Sequence, residues 1–192
     1  MRRLRLTWGG ATDQGRIRAN NQDAMYADSA LFVVADGMGG HQGGEVAANL
    51  AVRTVANADR SNREQLRDAI IEANRVVHET ALEEPELHGM GTTLTALAVS
   101  QEADSHQFVI LNVGDSRVYR HRDGELEQLT EDHSYVAELV RRGELGVQLA
   151  AGRGGGVGPH VGHLEPRRVL LDELTDLLAL LVQDVALRLR VA

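Results

Sequence analysis

A continuous apolar run, Leu31 to Ala35, stops directly at Asp36 and Gly37, and no other feature constrains the fold of this chain more strongly. A short apolar run without alternating polar residues is typical of a strand that is buried on both faces. This strand delivers a carboxylate at its C-terminal end. A glycine-rich loop follows over residues 37–44.

Two helices are predicted after this loop. Between residues 45 and 58, apolar side chains recur at helical spacing. Ser61 and Glu64 then form a capping-box pattern, and one apolar face continues from Leu66 to Thr80. The sequence therefore predicts two consecutive helices.

Strand patterns return after the helices, at residues 93–99 and 108–113. Asp123-Gly124 lies between two further runs, residues 118–122 and 125–129, and this dipeptide is a strong hairpin signal. Because the helices do not alternate with single strands, the order favours an α+β fold with layered antiparallel sheets.

The pattern changes near Leu145. Residues 152–163 are glycine-rich and aperiodic, which is typical of a linker, and the leucines from Val169 to Ala192 are spaced as in one amphipathic helix. We therefore predict a partial globular domain over residues 1–145, a linker over 146–168 and a divergent helix over 169–192. No strand is expected after Leu145.

Composition narrows the functional classes. The 192 residues are 43% hydrophobic and 25% charged, as expected for one globular domain, and the absence of cysteine excludes disulfides and thiolate chemistry. A net charge of -8 argues against nucleic acid as a partner. The N-terminus lacks the apolar run of a signal peptide, and acidic residues interrupt the apolar tail. We expect a cytoplasmic protein with no membrane partner.

Two acidic dipeptides stand where predicted strands stop, Asp36-Gly37 and Gly114-Asp115. A carboxylate beside glycine leaves room for a hydrated ion and a free backbone carbonyl, which suits hard divalent cations. The alternative is ordinary turn chemistry, in which aspartate and glycine only shape a loop.

Four motifs occur in one order along the chain and favour the cation interpretation. They are Gly15-Arg16-Ile17-Arg18-Ala19-Asn20-Asn21-Gln22-Asp23, Ala35-Asp36-Gly37-Met38-Gly39-Gly40-His41, Gly89-Met90-Gly91-Thr92-Thr93 and Asn112-Val113-Gly114-Asp115-Ser116-Arg117. Together they resemble the bacterial metal-dependent protein phosphatases of the type 2C (PPM) family, and the resemblance runs from about Thr7 to Leu145.

The resemblance implies a layered α-β-β-α sandwich with a binuclear Mn or Mg site and a weaker third ion. By the same resemblance, Asp36 bridges two ions, the Gly37 carbonyl binds one of them, Asp23 holds a water of that ion, and Asp115 supports the third ion. Arg18 matches the arginine that binds the substrate phosphate. The implied activity is hydrolysis of phosphoserine or phosphothreonine in proteins, with a serine/threonine kinase as counterpart.

The resemblance ends where family members supply two more metal aspartates, in an Asp-Gly-Leu and an Asp-Asn motif. Neither motif occurs in this chain. We therefore expect a fold that is incomplete at the C-terminus, through truncation or a frame shift after about Leu145. The alternative function is a non-catalytic phosphoprotein-binding or regulatory remnant, inactive because these aspartates are missing.

Overall fold

The computed structural model describes residues 6–16, 19–39, 42–59, 62–102, 105–133, 167–170, 177–182 and 185–191. Two α-helices lie in these ranges, α1 (Gly43–Asn57) and α2 (Arg63–Glu83), and a short 3-10 helix follows at Pro85–Leu87. The strands of the described ranges are β1 (Leu6–Thr12), β2 (Asp23–Ala27), β3 (Leu31–Met38), β4 (Gly91–Thr92), β5 (Leu94–Glu102), β6 (Ser105–Val113), β7 (Arg117–Arg122), β8 (Glu125–Gln128), β9 (Arg167–Leu170), β10 (Leu177–Val182) and β11 (Val185–Val191).

The strands form two sheets. One sheet has the order β1-β11-β10-β7-β8, and the other has the order β2-β3-β5-β6-β9, with β4 paired to the end of β3. All of these pairings are antiparallel. The antiparallel α+β fold predicted from the order of elements is confirmed.

The apolar run from Leu31 to Ala35 lies in β3, and both faces of the strand are buried along this run. Leu31, Val33 and Ala35 lie in the core beneath the two helices. Phe32 and Val34 lie in a second core together with Val118 and Leu129, from the β7 side of the molecule. Side chains alternate between the faces of a strand, so a strand between two cores needs apolar residues at every position.

Both helices pack over the second sheet, where α1 lies against β2, β3 and α2. The N-cap of α2 differs from the predicted one. Asn62 takes this place, because its side chain accepts a hydrogen bond from the Gln65 N–H at 2.9 Å. Ser61, the predicted cap, lies outside the described residues. Asparagine and serine are equally good caps, so the capping pattern located the helix start to within one residue.

The predicted hairpin is confirmed at Asp123-Gly124. Both residues have positive φ angles, 52° and 85°, and Arg122 pairs with Glu125 across the turn. Two central residues with positive φ are the requirement of a tight type I′ turn, which aspartate and glycine tolerate well.

The helix predicted over residues 169–192 is wrong, as is the expectation that strands end at Leu145. The tail contains β9, β10 and β11 instead. β10 lies between β7 and β11, so partners on both sides satisfy its backbone hydrogen bonds. Short leucine-rich runs fit a helix and a buried strand equally well, and sheet pairing decides between them. Residues 146–166 of the predicted linker lie outside the described residues.

The described residues form three layers. The two helices cover one face of the sheet β2-β3-β5-β6-β9, and the sheet β1-β11-β10-β7-β8 packs against its other face. A helix layer over the sheet β1-β11-β10-β7-β8 was also expected from the α-β-β-α architecture, and the described ranges contain no member of it. None of the helices in these ranges is long and apolar enough to cross a membrane.

We expect Phe32→Ala to destabilise the protein by about 3–5 kcal/mol, since it empties a fully buried position between the sheets and removes an edge-to-face contact with Trp8. Chemical denaturation monitored by circular dichroism measures this free energy of unfolding. Leu126→Ala serves as the control, because Leu126 is 65% exposed and should change stability by less than about 0.5 kcal/mol. Equal effects of the two substitutions would contradict the assignment of this core.

Candidate metal centre

Asp36 is presented at the end of β3, where the two cores stop and the strand reaches solvent. Its backbone is held on both sides. The Asp36 N–H donates to Thr93 Oγ1 at 3.0 Å, and the Asp36 carbonyl accepts from the Thr93 N–H at 2.9 Å and from Thr92 Oγ1 at 3.0 Å. Every backbone polar group of this residue is therefore satisfied, and the carboxylate projects from a fixed position.

Asp23 lies directly opposite Asp36 in the pairing of β2 with β3. Directly opposed residues in antiparallel strands have Cβ atoms roughly 4.5–5.5 Å apart. Asp23 is buried, and its own N–H is held by Asn21 Oδ1 at 3.0 Å. Two like charges in opposed positions destabilise a sheet unless a cation compensates them.

Gly37 and Gly44 let the chain turn tightly behind Asp36. A Cβ atom on Gly37 would lie 1.9 Å from the carbonyl oxygen of Gly44, and one on Gly44 would lie 2.9 Å from the carbonyl oxygen of Gly37. Only glycine fits either position. The start of α1 is thereby pressed against the strand end that carries the carboxylates.

Asp115 follows β6 in a loop whose first residue, Gly114, has a φ angle of +101°. Partial burial of its carboxyl group raises the pKa of Asp115 above the usual value, and the negative charges of Asp132 and Asp36 raise that pKa further. Asp115 and Asp36 are therefore near enough to interact electrostatically. Ordinary turn chemistry would explain why a glycine stands at position 114. It would not explain why the carboxylates of Asp36, Asp115 and Asp132 lie close enough to interact.

Arg117 is a positively charged side chain near Asp115, and it forms an ion pair with Asp132. Its guanidinium group binds both carboxylate oxygens of Asp132, at 2.9 and 2.6 Å, and this hydrogen bonding raises the pKa of Arg117. A bidentate pair of this kind is geometrically specific. Arg117 is thus paired with Asp132, and its described side-chain hydrogen bonds reach neither Asp36 nor Asp23.

The donor set fits a hard divalent cation, because carboxylate and carbonyl oxygens are the ligands that such ions prefer, and Asp23 and Asp36 lie opposite one another. The number of donors is small. Within the described ranges, no group of three or more His, Cys, Asp or Glu side chains is arranged to hold a metal ion. The residues present therefore fit a cation that keeps much of its water.

A separate cavity of about 400 Å³ lies on the helix side of this strand end. Met38, Ile70, Val77 and Leu94 are among its mostly apolar lining residues, and none of the described residues that line it carries a carboxylate. The cavity is therefore distinct from the candidate cation site.

Among the predicted site residues, the structure places Asp23 opposite Asp36, and Asp115 is close enough to Asp36 for their charges to interact. Arg18 lies outside the described residues. Sequence reasoning missed Thr93, which holds the backbone of Asp36. Thr93 belongs to the motif Gly89-Met90-Gly91-Thr92-Thr93, but no local sequence pattern indicated that it would bond to Asp36.

Comparison with known proteins identifies the family. Residues 15–142 match the family described as Protein phosphatase 2C. The chain is 36% identical over 173 residues to the serine/threonine protein phosphatase PstP of Mycobacterium tuberculosis, covering 88% of this chain and 30% of that protein. It is 43% identical over 148 residues to the serine/threonine phosphatase stp of Listeria monocytogenes, covering 70% of this chain and 57% of that protein. The chain thus spans between 30% and 57% of the length of these curated relatives.

Solved structures agree with the sequence comparison. The catalytic domain of PstP in complex with two manganese ions superposes with a TM-score of 0.82 at 27% identity, covering 99% of this chain and 100% of that one. The phosphatase MsPP of Mycobacterium smegmatis, in complex with cacodylate, superposes with a TM-score of 0.73 at 39% identity, covering 91% and 76%. With a family match over two thirds of its length and the same fold, this chain belongs to the protein phosphatase 2C family.

Proposed function

We propose that this chain hydrolyses phosphoserine and phosphothreonine in proteins with the help of Mn²⁺ or Mg²⁺. The observation that carries the proposal is the opposed pair Asp23 and Asp36 at the end of a doubly buried strand, with Asp115 nearby. Support also comes from the relatives, which are named serine/threonine phosphatases, and from the two manganese ions in the PstP structure.

In this proposal each residue has a role. Asp36 and the carbonyl of Gly37 hold the first ions, Asp23 binds through a water, and Asp115 supports a weaker additional ion. Arg18 binds the phosphate of the substrate, since a planar guanidinium group matches phosphate oxygens. A divalent cation in such a site supplies a nucleophile at neutral pH and neutralises charge on the phosphoryl group.

The small donor set predicts weak cation affinity. Affinity for a hard cation decreases when there are fewer charged ligands, and weak calcium sites have dissociation constants of roughly 10⁻⁴–10⁻³ M. The Asp-Gly-Leu and Asp-Asn aspartates expected for the family do not occur in this sequence. We therefore propose that activity requires about millimolar Mn²⁺.

The chemistry of the substrate also indicates its source. A phosphoserine or phosphothreonine protein is made by a serine/threonine kinase, which we propose as the functional counterpart of this chain. Because such kinases consume ATP, we also propose a cytoplasmic location. The net charge of -8 disfavours nucleic acid as a competing polyanionic partner.

We expect hydrolysis of a phosphothreonine peptide to rise with Mn²⁺ up to the millimolar range and to be lost with excess EDTA. Asp36→Asn should lower turnover by at least about 100-fold, because it removes a charged cation ligand. Phosphate release measures both effects. Asp68→Asn is the matched control, since Asp68 is an exposed aspartate of α2 whose only described ion pair is a 3.9 Å contact with Arg67.

Turnover that persists in EDTA would contradict the cation-dependent mechanism. Binding of the phosphopeptide without turnover at any Mn²⁺ concentration would favour the non-catalytic phosphoprotein-binding alternative.

Arg18→Ala should raise KM more than it lowers kcat, because its proposed contact is with a phosphate already present in the bound substrate. Charge-assisted hydrogen bonds are worth about 1.5–3 kcal/mol, so kcat/KM should fall by about tenfold to 100-fold. Steady-state kinetics on one phosphopeptide give both constants. Arg16→Ala is the control from the same motif, and a collapsed kcat with an unchanged KM in Arg18→Ala would refute the assignment.

Asp115→Asn should stabilise the cation-free protein at neutral pH by less than about 1 kcal/mol, since it removes a partly buried charge that Asp132 and Asp36 repel. Saturating Mn²⁺ should cancel or reverse this gain, because the wild type alone then has its charge compensated. Thermal unfolding in EDTA and in Mn²⁺ measures the two differences. A destabilised variant in EDTA would show that the Asp115 carboxylate is held by favourable contacts instead.

A further inference from the structure

A buried pair of hydroxyl groups connects the two strand ends that carry the carboxylates. Thr93 Oγ1 and Ser116 Oγ lie 2.6 Å apart, within hydrogen-bond distance, and each residue is only 4% exposed. Thr93 lies between β4 and β5, whereas Ser116 lies between β6 and β7. The pair therefore joins segments that are 23 residues apart in the chain.

On one side, this pair fixes Asp36. Thr93 Oγ1 accepts the Asp36 N–H at 3.0 Å, and the Thr93 N–H donates to the Asp36 carbonyl at 2.9 Å. Thr93 is thus bonded to both backbone polar groups of the residue. A displacement of Thr93 would carry Asp36 with it.

On the other side, the pair fixes the loop of Asp115. A Cβ atom on Gly114 would lie 2.7 Å from Cγ2 of Thr93, so the loop is pressed against the threonine side chain. Ser116, the residue after Asp115, contributes the hydroxyl that meets Thr93. The loop is also anchored at Gly114, whose carbonyl accepts from the His133 N–H at 2.8 Å.

We infer that Thr93 and Ser116 are positioning residues that set the distance between Asp36 and Asp115, so that a cation bound at one carboxylate is coupled to the other. Neither hydroxyl needs to touch the cation for this. The inference rests on the proposed function, because it assigns the coupling a use in cation binding. It adds two residues to which the family resemblance gave no role.

A purely structural role is the alternative, and three variants separate the two. Thr93→Val keeps the shape of the side chain and removes the hydroxyl, Ser116→Ala removes the partner hydroxyl, and Thr93→Ser restores the hydroxyl without the methyl group. Ser100→Ala is the matched control. Ser100 is a buried residue of β5 whose hydroxyl has no hydrogen-bond partner among the described residues.

Isothermal titration with MnCl₂ is the first experiment, with thermal unfolding to show that each variant is folded. We expect Thr93→Val and Ser116→Ala each to weaken Mn²⁺ binding about tenfold, as loss of an outer partner of a ligand does. Ser100→Ala should bind as the wild type does. Thr93→Ser should regain most of the affinity that Thr93→Val loses, because it keeps the hydroxyl group and lacks only the methyl group that contacts Gly114. The double variant Thr93→Val/Ser116→Ala should be no weaker than Thr93→Val alone, since the two hydroxyls act as one unit.

Wild-type affinity in both hydroxyl-deficient variants would overturn the inference, and so would additive losses in the double variant. An equal loss in Ser100→Ala would also overturn it, because any buried hydroxyl would then have the same effect.

The second experiment needs no metal and keeps this inference distinct from the proposed function. In ¹H–¹⁵N spectra of the cation-free protein, Ser116→Ala should shift the Asp36 amide resonance, although Thr93 lies between the two residues. If the wild type bound no Mn²⁺, the proposed cation site would fail, and a shifted Asp36 amide would still support the positioning role. An unshifted Asp36 amide in Ser116→Ala would overturn that role.

Discussion

The burial of β3 on both faces is the constraint on which the rest of the structure depends. Leu31, Val33 and Ala35 fill the core beneath the helices, and Phe32 and Val34 fill the core between the sheets. A shift of one residue in its register would exchange the two sets and turn Asp36 to the opposite face. The packing of two cores therefore also determines where the carboxylate points.

The same strand shows how the fold tolerates a charge cluster at its end. Opposed carboxylates on β2 and β3 are unfavourable, and the positive charge of Arg117 is already taken by Asp132. The repulsion between the carboxylates is offset by the hydrogen bonds to the Asp36 N–H and carbonyl, and by burial of the apolar residues of β3 that precede Asp36. Backbone hydrogen bonds and strand packing therefore hold the two carboxylates opposite one another at this end of the sheet.

The features that the sequence predicted correctly are those determined by residues close to one another in the chain. The doubly buried strand, the two helices and the Asp123-Gly124 hairpin each follow from periodicity or from turn residues over a few positions. The strands of the tail could not be predicted in this way. The leucines of β10 fit a helix or a strand, and pairing with β7 and β11 makes this segment a strand. Among the site residues, glycine neighbours marked Asp36 and Asp115, whereas Asp23 came only from the family resemblance. The bond between Thr93 and Ser116 has no sequence signal, since it joins two loops that only the folded sheets bring together.

The tail and the candidate site make separate contributions to this fold. β9, β10 and β11 contain no aspartate or glutamate within their bounds, so they complete the sheets without adding a cation ligand. β9 pairs with residues 107–110 of β6, whereas Asp115 follows the other end of that strand. In these strands, the likeness to the backbone of the PstP catalytic domain therefore depends on sheet pairing and not on carboxylate side chains. Sheet pairing needs only backbone groups and suitable packing, whereas cation binding needs particular side chains at particular positions. For this reason, the pairing of the described strands does not by itself determine which cation ligands the chain carries.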